Sequence, residues 1–276
     1  MTELTWQQRV AASRYARAAA FPMRLQAVSK HGARTASLSI NWLVRRKEHT
    51  NYTYDLSALN LEHLAWWVSV VSSSGVNECR GYIDECLSDV DLQSQVLRET
   101  RRSDRQGLAD LEVHVGRRAG WYALVRATRP NHVVETGTDK GLGTLVIASA
   151  LLRNGRGHLT SIDINRESGF LVSGKYASVT TLVVADSVAS LSNIDEPIDL
   201  FIHDSDHSAA HEAAEFGAVA SALSHDAVVL SDNSHVTTEL PSWAESTGRA
   251  FLFFREVPEE HWYPGGGIGA AWYLRS

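Results

Sequence analysis

From about residue 115 onward the chain alternates short runs rich in β-branched and aromatic residues with helical stretches, and no other feature restricts its fold as tightly. The runs are His132–Glu135, His158–Asp163, Thr180–Ala185, Asp199–His203 and Ala227–Ser231. Strands separated by helix-length connections form a parallel sheet covered on both faces. Two further runs, Ala250–Arg255 and Ile268–Leu274, flank a loop containing Tyr263-Pro264-Gly265-Gly266-Gly267. That loop leaves no room for a crossover helix, so this pair forms an antiparallel hairpin. Most of the earlier runs end in a polar residue, and open α/β sheets bind ligands beyond the carboxyl ends of their strands.

Upstream, the pattern is helical. Leu61, Leu64, Val68 and Val71 recur at spacings of three and four behind Asn60 as N-cap, with Gly75 as the stop. Asn77 opens a segment that sets Cys79 and Cys86 seven residues apart on one helical face, as core thiols, and Asp89 or Asp91 caps another helix running to about Arg102. The expected organisation is a helical N-terminal segment over 1–115, serving as arm, lid or dimer contact, and an α/β domain over 116–276.

Several classes of protein are excluded by composition. Two cysteines with no Cys-x-x-Cys pair cannot form a disulfide framework or a structural zinc knuckle. No apolar run reaches the 18 or so residues that a membrane span needs, and no short apolar core follows the first charges as a secretory signal would demand. A soluble chain in the reducing cytoplasm, with no membrane partner, is expected. Charge is unevenly spread: residues 1–50 hold Arg9, Arg14, Arg17, Arg24, Lys30, Arg34, Arg45, Arg46 and Lys47 against Glu3 and Glu48, a net of +7, which leaves −13 for the remainder. An acidic body repels nucleic acid, and the basic start is expected first to pack on a neighbouring subunit of a homo-oligomer, the alternatives being a targeting peptide, an arm for another anionic partner or a solvated amphipathic helix.

The first strand runs directly into Glu135-Thr136-Gly137-Thr138-Asp139-Lys140-Gly141-Leu142-Gly143-Thr144, and a helical stretch follows. No Gly-x-x-x-x-Gly-Lys-Ser/Thr spacing passes through it, which excludes a Walker loop. The dinucleotide fingerprint also fails, because Asp139 and Leu142, or Val146, stand where glycines belong. What remains, an acidic strand end followed by Gly-x-x-x-Gly-x-Gly, resembles motif I of class I S-adenosylmethionine-dependent methyltransferases. The chemistry agrees, since this cofactor carries an ammonium and a sulfonium but no phosphate. Asp163, 20 residues after Gly143, can accept both ribose hydroxyls from the end of the second strand. The resemblance places Asp186 and Ser187 at the adenine edge, and Glu135, Gly137, Thr138, Gly141, Gly143 and Thr144 around the cofactor. The competing assignment makes the glycines a strand terminus and the two aspartates helix N-caps.

A second cluster ends the fourth and fifth strands. Asp204, Asp232 and Asn233 lie on strands expected to be neighbours, and they would offer hard oxygen ligands to Mg²⁺ or Mn²⁺. Asp-x-Asp-His-Ser after Ile-Asp-Leu-Phe-Ile, with Leu-Ser-Asp-Asn after the next strand, resembles the metal-dependent O-methyltransferases of methyltransferase family 24, across roughly residues 118–276. The resemblance implies a Rossmann-like, doubly wound seven-stranded sheet in the order 3-2-1-4-5-7-6, its last strand antiparallel. It also implies methyl transfer to a hydroxyl of a small molecule, as in natural-product biosynthesis, with Asp204, Asp232 and Asn233 holding the metal and His207 or Asp204 acting as base. Ser205 and His203 depart from the family pattern without breaking that ligand set. His203, His207 and His211 are spaced by four but do not share a helical face, which argues against zinc. His261-Trp262-Tyr263 suggests an acceptor with an apolar face. The alternatives are a nicotinamide-dependent oxidoreductase and a non-catalytic binding module on the same fold.

Overall fold

The computed structural model describes residues 5–6, 16–47, 53–107 and 112–274. These fall into two compact units, one of residues 1–46 with 260–262 and one of 47–259 with 263–276. In the first unit, helix α1 (Ala16–Arg45) has no acidic residue in its first turn and contains Pro22. Phe21, Leu25, Val28, Ile40 and Leu43 are exposed along it, whereas Trp42 packs edge-on against Trp262, ring centroids 5.3 Å apart. Glu3, Arg9, Arg14 and Glu48 of the basic segment lie outside the described residues.

The second unit begins with α2 (Ala58–Ser72), α3 (Val76–Leu87), α4 (Val90–Arg102) and α5 (Arg118–Thr128). It continues with β1 (His132–Thr136), α6 (Leu142–Asn154), β2 (His158–Asp163), β3 (Thr180–Val184), α7 (Ser187–Leu191), β4 (Ile198–His203) and α8 (Ala209–Val219). The chain ends with β5 (Leu223–Asp232), α9 (Glu239–Ser246), β6 (Ala250–Arg255) and β7 (Gly267–Trp272). The seven strands take the order β3-β2-β1-β4-β5-β7-β6, as the sequence implied. β7 runs antiparallel to both its neighbours, and β1 to β5 are parallel. Central strand β1 is buried throughout, as a strand covered on both faces must be, while edge strand β3 leaves Leu182 and Val184 exposed.

Helices α2 to α4 belong to the same compact unit as the sheet, so that unit does not divide at residue 115. The reason is burial: Leu64, Val68 and Val71 of α2 and Cys79, Ile83 and Cys86 of α3 join one core with the apolar face of α5. Gly120 of α5 permits this contact, because a Cβ there would lie 2.7 Å from Leu64 Cδ1. Asp89 caps α4 as expected, accepting from the Leu92 amide at 3.0 Å. Asn60 is not a cap. It lies inside α2, donating to the Arg255 carbonyl at 3.0 Å and accepting from the Val257 amide at 2.9 Å, and so ties α2 to the end of β6. Gly75 is the N-cap of α3, while Ser73, with φ of 57°, closes α2.

Strand register determines what meets at the carboxyl edge. Thr136 of β1 pairs with His203 of β4, and His203 pairs with Ser231 of β5. The following residues, Gly137, Asp204 and Asp232, therefore emerge side by side. Two antiparallel steps through β7 return β6 to the direction of β5, so Glu256 emerges at the same edge.

Candidate active site

A cavity of about 430 Å³ opens at this edge, a size typical of small-molecule sites. On its β1 side the backbone of the glycine loop comes close to the cavity, among Glu135, Thr138, Asp139 and Leu142. Gly137 has a φ of +85°, and a Cβ there would lie 1.9 Å from the Asp204 carbonyl oxygen, so only glycine lets the loop pass the end of β4. At Gly143 a Cβ would lie 2.6 Å from Glu135 Oε1 and 2.8 Å from the Trp121 ring. Glu135 is buried, and its Oε2 accepts from Thr144 at 2.6 Å and Ser161 at 2.7 Å. Burial pushes its carboxyl up to about 7, against the pull of these hydroxyls and of Arg118.

Among the residues expected to hold the cofactor, Glu135, Gly137, Thr138 and Gly143 line the cavity, but Gly141, Thr144, Asp163, Asp186 and Ser187 do not. A Cβ on Gly141 would point at Val172 and Gly169. Thr144 is wholly buried behind Glu135. Asp163 accepts from the amides of Asp139 and Asn165, each at 2.8 Å, and thereby fixes Asp139 at the cavity wall. Asp186 is the N-cap of α7, accepting from the Ala189 amide at 2.8 Å, and Ser187 Oγ pairs with His211 Nε2 at 3.2 Å.

The opposite wall is charged. Arg117 stands at the N-terminus of α5, and its Nε and Nη2 donate to the two oxygens of Asp232, whose side chain is fully buried. Its Nη1 lies 3.7 Å from Glu256 Oε1, while Glu256 Oε2 accepts from the Tyr54 hydroxyl at 2.8 Å. Arg118 Nη2 lies 3.9 Å from Asp204 Oδ2. His207 Nε2 lies 3.8 Å from Asp204 Oδ1 and accepts from Asn233 Nδ2 at 3.0 Å, which leaves its proton on Nδ1. One ligand-type atom each from Asp204, His207 and Asp232 lies within 4.8 Å of the others.

These neighbours divide the charge. Burial and the adjacent Asp232 carboxylate push Asp204 well above the usual carboxylate range. Burial would raise Asp232 as well, but the Arg117 guanidinium holds it low and ionised. Burial pushes the His207 imidazole down, against the pull of Asp232, so it is neutral and able to accept a proton near pH 7.

The histidine series separates as anticipated. His203 Nδ1 and His211 Nε2 both face Glu215, at 2.6 and 3.0 Å, whereas His207 alone faces the cavity. Sequence reading overlooked Arg117, Arg118, Tyr54 and Glu256. A signal for the first two exists: consecutive arginines open a helix that has no acidic residue in its first turn, where the helix dipole disfavours cations unless carboxylates lie opposite.

Residues 134–234 match the family of methyltransferase domains known as methyltransferase family 24. The O-methyltransferase TomG of Streptomyces achromogenes, involved in tomaymycin synthesis and solved with S-adenosylmethionine, is 17% identical, with a TM-score of 0.52 over 68% of this chain and 92% of that one. An O-methyltransferase of Bacillus cereus in complex with S-adenosylhomocysteine is 16% identical, with a TM-score of 0.51 over 69% of this chain and 96% of that one. No curated protein matches the chain. The chain has the fold of class I S-adenosylmethionine-dependent methyltransferases and, within that class, resembles methyltransferase family 24. Among the described residues no helix is long and apolar enough to cross a membrane.

Proposed function

We propose that the protein transfers a methyl group from S-adenosylmethionine to a hydroxyl of a small molecule. The observation that carries this reading is the placement of His207 Nε2, beside Asp204 and Asp232, in the same cavity as the Gly137–Gly143 loop. The bare backbone at Gly137 and Gly143 suits a cofactor without phosphate, and Glu135 offers a carboxylate on the same wall. When bound, S-adenosylmethionine supplies an electrophilic methyl carbon on a sulfonium.

The protein's own part is to hold the hydroxyl in line and to receive its proton. His207 Nε2 exchanges its hydrogen bond from Asn233 for one from the acceptor hydroxyl, and takes the proton as that oxygen gains the methyl. The pair of the broken carbon–sulfur bond stays with sulfur. Tyr54 and Tyr263, ring centroids 6.0 Å apart, give the cavity an aromatic wall, which suits an acceptor with an apolar face. His261 and Trp262 pack near Trp42 in the other unit, so of that aromatic loop Tyr263 lines the cavity.

The divalent ion expected from the sequence fits poorly. Both oxygens of Asp232 are engaged by Arg117, and Asn233 directs its amide nitrogen to His207 while its Oδ1 lies where a Cβ on Gly266 would come within 2.6 Å. The direct test is incubation with methyl-tritiated S-adenosylmethionine and a panel of phenols, catechols and sugars, alongside amines. Label on a hydroxyl compound, lost in His207→Ala, supports the reading. Label on amines alone, or on nothing, contradicts it.

A further inference from the structure

The poor fit of a metal has a structural cause, and it assigns a role to a residue that lies outside the stretch matching the family. Two carboxylates, Asp204 and Asp232, line the cavity at the ends of β4 and β5, and a third, Glu256 at the end of β6, is buried beside Arg117. Such a set would ordinarily attract a divalent cation. Here Arg117 lies among them. Its planar fork matches the Asp232 carboxylate through two donors, and its third nitrogen faces Glu256 Oε1, a buried oxygen with no hydrogen-bond partner of its own.

Arg117 is placed by the fold and does not reach in from a flexible loop. It is the N-cap of a helix whose next eight residues are all buried. Gly116 before it has a φ of +51°, and a Cβ there would lie 2.9 Å from the Tyr54 carbonyl oxygen, so the backbone is pinned on the Tyr54 side as well. A cation at a helix N-terminus opposes the helix dipole and persists because carboxylates offset it.

We infer that Arg117 stands in the place of the divalent ion: a guanidinium fixed by the fold supplies the positive charge of the acceptor site, and the site is closed to Mg²⁺ and Mn²⁺. For its chemistry this rests on the methyl-transfer reading, but the closure to metal does not depend on it. A guanidinium neither gives nor takes a proton at working pH, so its part is electrostatic. It stabilises the negative charge that gathers on the acceptor oxygen as the proton passes to His207, until the carbon–oxygen bond forms.

The experiment is Mn²⁺ titration followed by electron paramagnetic resonance, on wild type, Arg117→Ala and Arg117→Ala/Asp204→Asn. It reads metal binding without requiring an acceptor. Wild type should leave the free-ion signal unchanged into the millimolar range. Removing Arg117 should expose Asp204, Asp232 and His207, and raise Mn²⁺ affinity by about tenfold or more, with the double variant losing that gain. Arg117→Gln, which keeps a donor toward Asp232, replaces Arg117→Ala if the latter does not fold. Tight Mn²⁺ binding by wild type that disappears in Asp232→Asn would overturn the inference, and so would folded Arg117 variants that gain no affinity. If wild type transfers methyl, its rate in chelator should stay within about twofold of that in Mg²⁺. A wild type with no transferase activity would count against the proposed function and leave the Mn²⁺ result standing.

Discussion

The two walls of the cavity are built on opposite plans. On the β1 side, Gly137 and Gly143 bring backbone close to the cavity, Glu135 is held by the hydroxyls of Thr144 and Ser161, and Asp139 is fixed through its amide by Asp163. On the side of β4, β5 and β6, charged groups from four separate elements interlock: Asp204, Asp232, Glu256 and the arginines of α5. The first wall accommodates a ligand by leaving space for it, and the second by arranging charge. A substitution should therefore fail on the first wall through volume and on the second through an ion left without its partner.

The sharpest break of that contrast is at Gly137. Adding a single methyl with Gly137→Ala brings it onto the backbone of β4, a collision with no flexible side chain to yield. The expected loss exceeds about 4 kcal/mol of stability, visible in a denaturant melt, together with all affinity for S-adenosylmethionine. His207→Ala probes the other wall at its reactive group. Turnover should fall about 10²–10⁴-fold with cofactor affinity unchanged, as single-turnover kinetics and calorimetry would show, whereas an equal loss of affinity would make His207 part of the cofactor wall.

Asp232→Ala leaves Arg117 beside the neighbouring carboxylates with its closest partner gone. The expected cost is about 3–5 kcal/mol in a denaturant melt, and a loss under 1 kcal/mol would show that the pair is not a structural counterpart to the glycine wall. The smallest effect concerns Glu135. Its carboxyl lies at about 7 in the folded protein against an ordinary 4.5, so the folded state holds the proton more tightly than the unfolded chain. Its contribution to stability is complete below 4.5 and is lost as pH rises through about 7. Wild type should therefore lose up to about 3 kcal/mol relative to Glu135→Gln between those values, and parallel stability profiles would place the charge of Glu135 elsewhere.

The two walls also differ in how far the sequence reveals them. The parallel strands, the final hairpin and the glycine loop follow from strand spacing and local backbone demands, and the sheet order follows from the family resemblance that the loop and strand ends carry. Three strand limits illustrate this: His158–Asp163 and Ala250–Arg255 are met to the residue, while Ala227–Ser231 extends to Leu223–Asp232. Strand ends in turn bring Asp204, Asp232 and His207 together. Arg117 and Glu256 were not legible because their meaning is relational. Arg117 precedes Asp232 by more than a hundred residues and Glu256 follows it after a helix and a strand, and only the α5 start and the β6 direction bring them together. Asp186 shows a strand-end carboxylate with a local use as well, as the N-cap of α7.

Cofactor choice is where the contrast between the walls becomes most exposed. Isothermal titration calorimetry of the wild-type protein with S-adenosylmethionine, S-adenosylhomocysteine and NAD⁺, in chelator, asks whether the glycine-loop wall takes the cofactor that the fold suggests. The account predicts saturable binding of the first two at one site per chain and no heat with NAD⁺. Binding of NAD⁺ alone, or of none of the three, would contradict it.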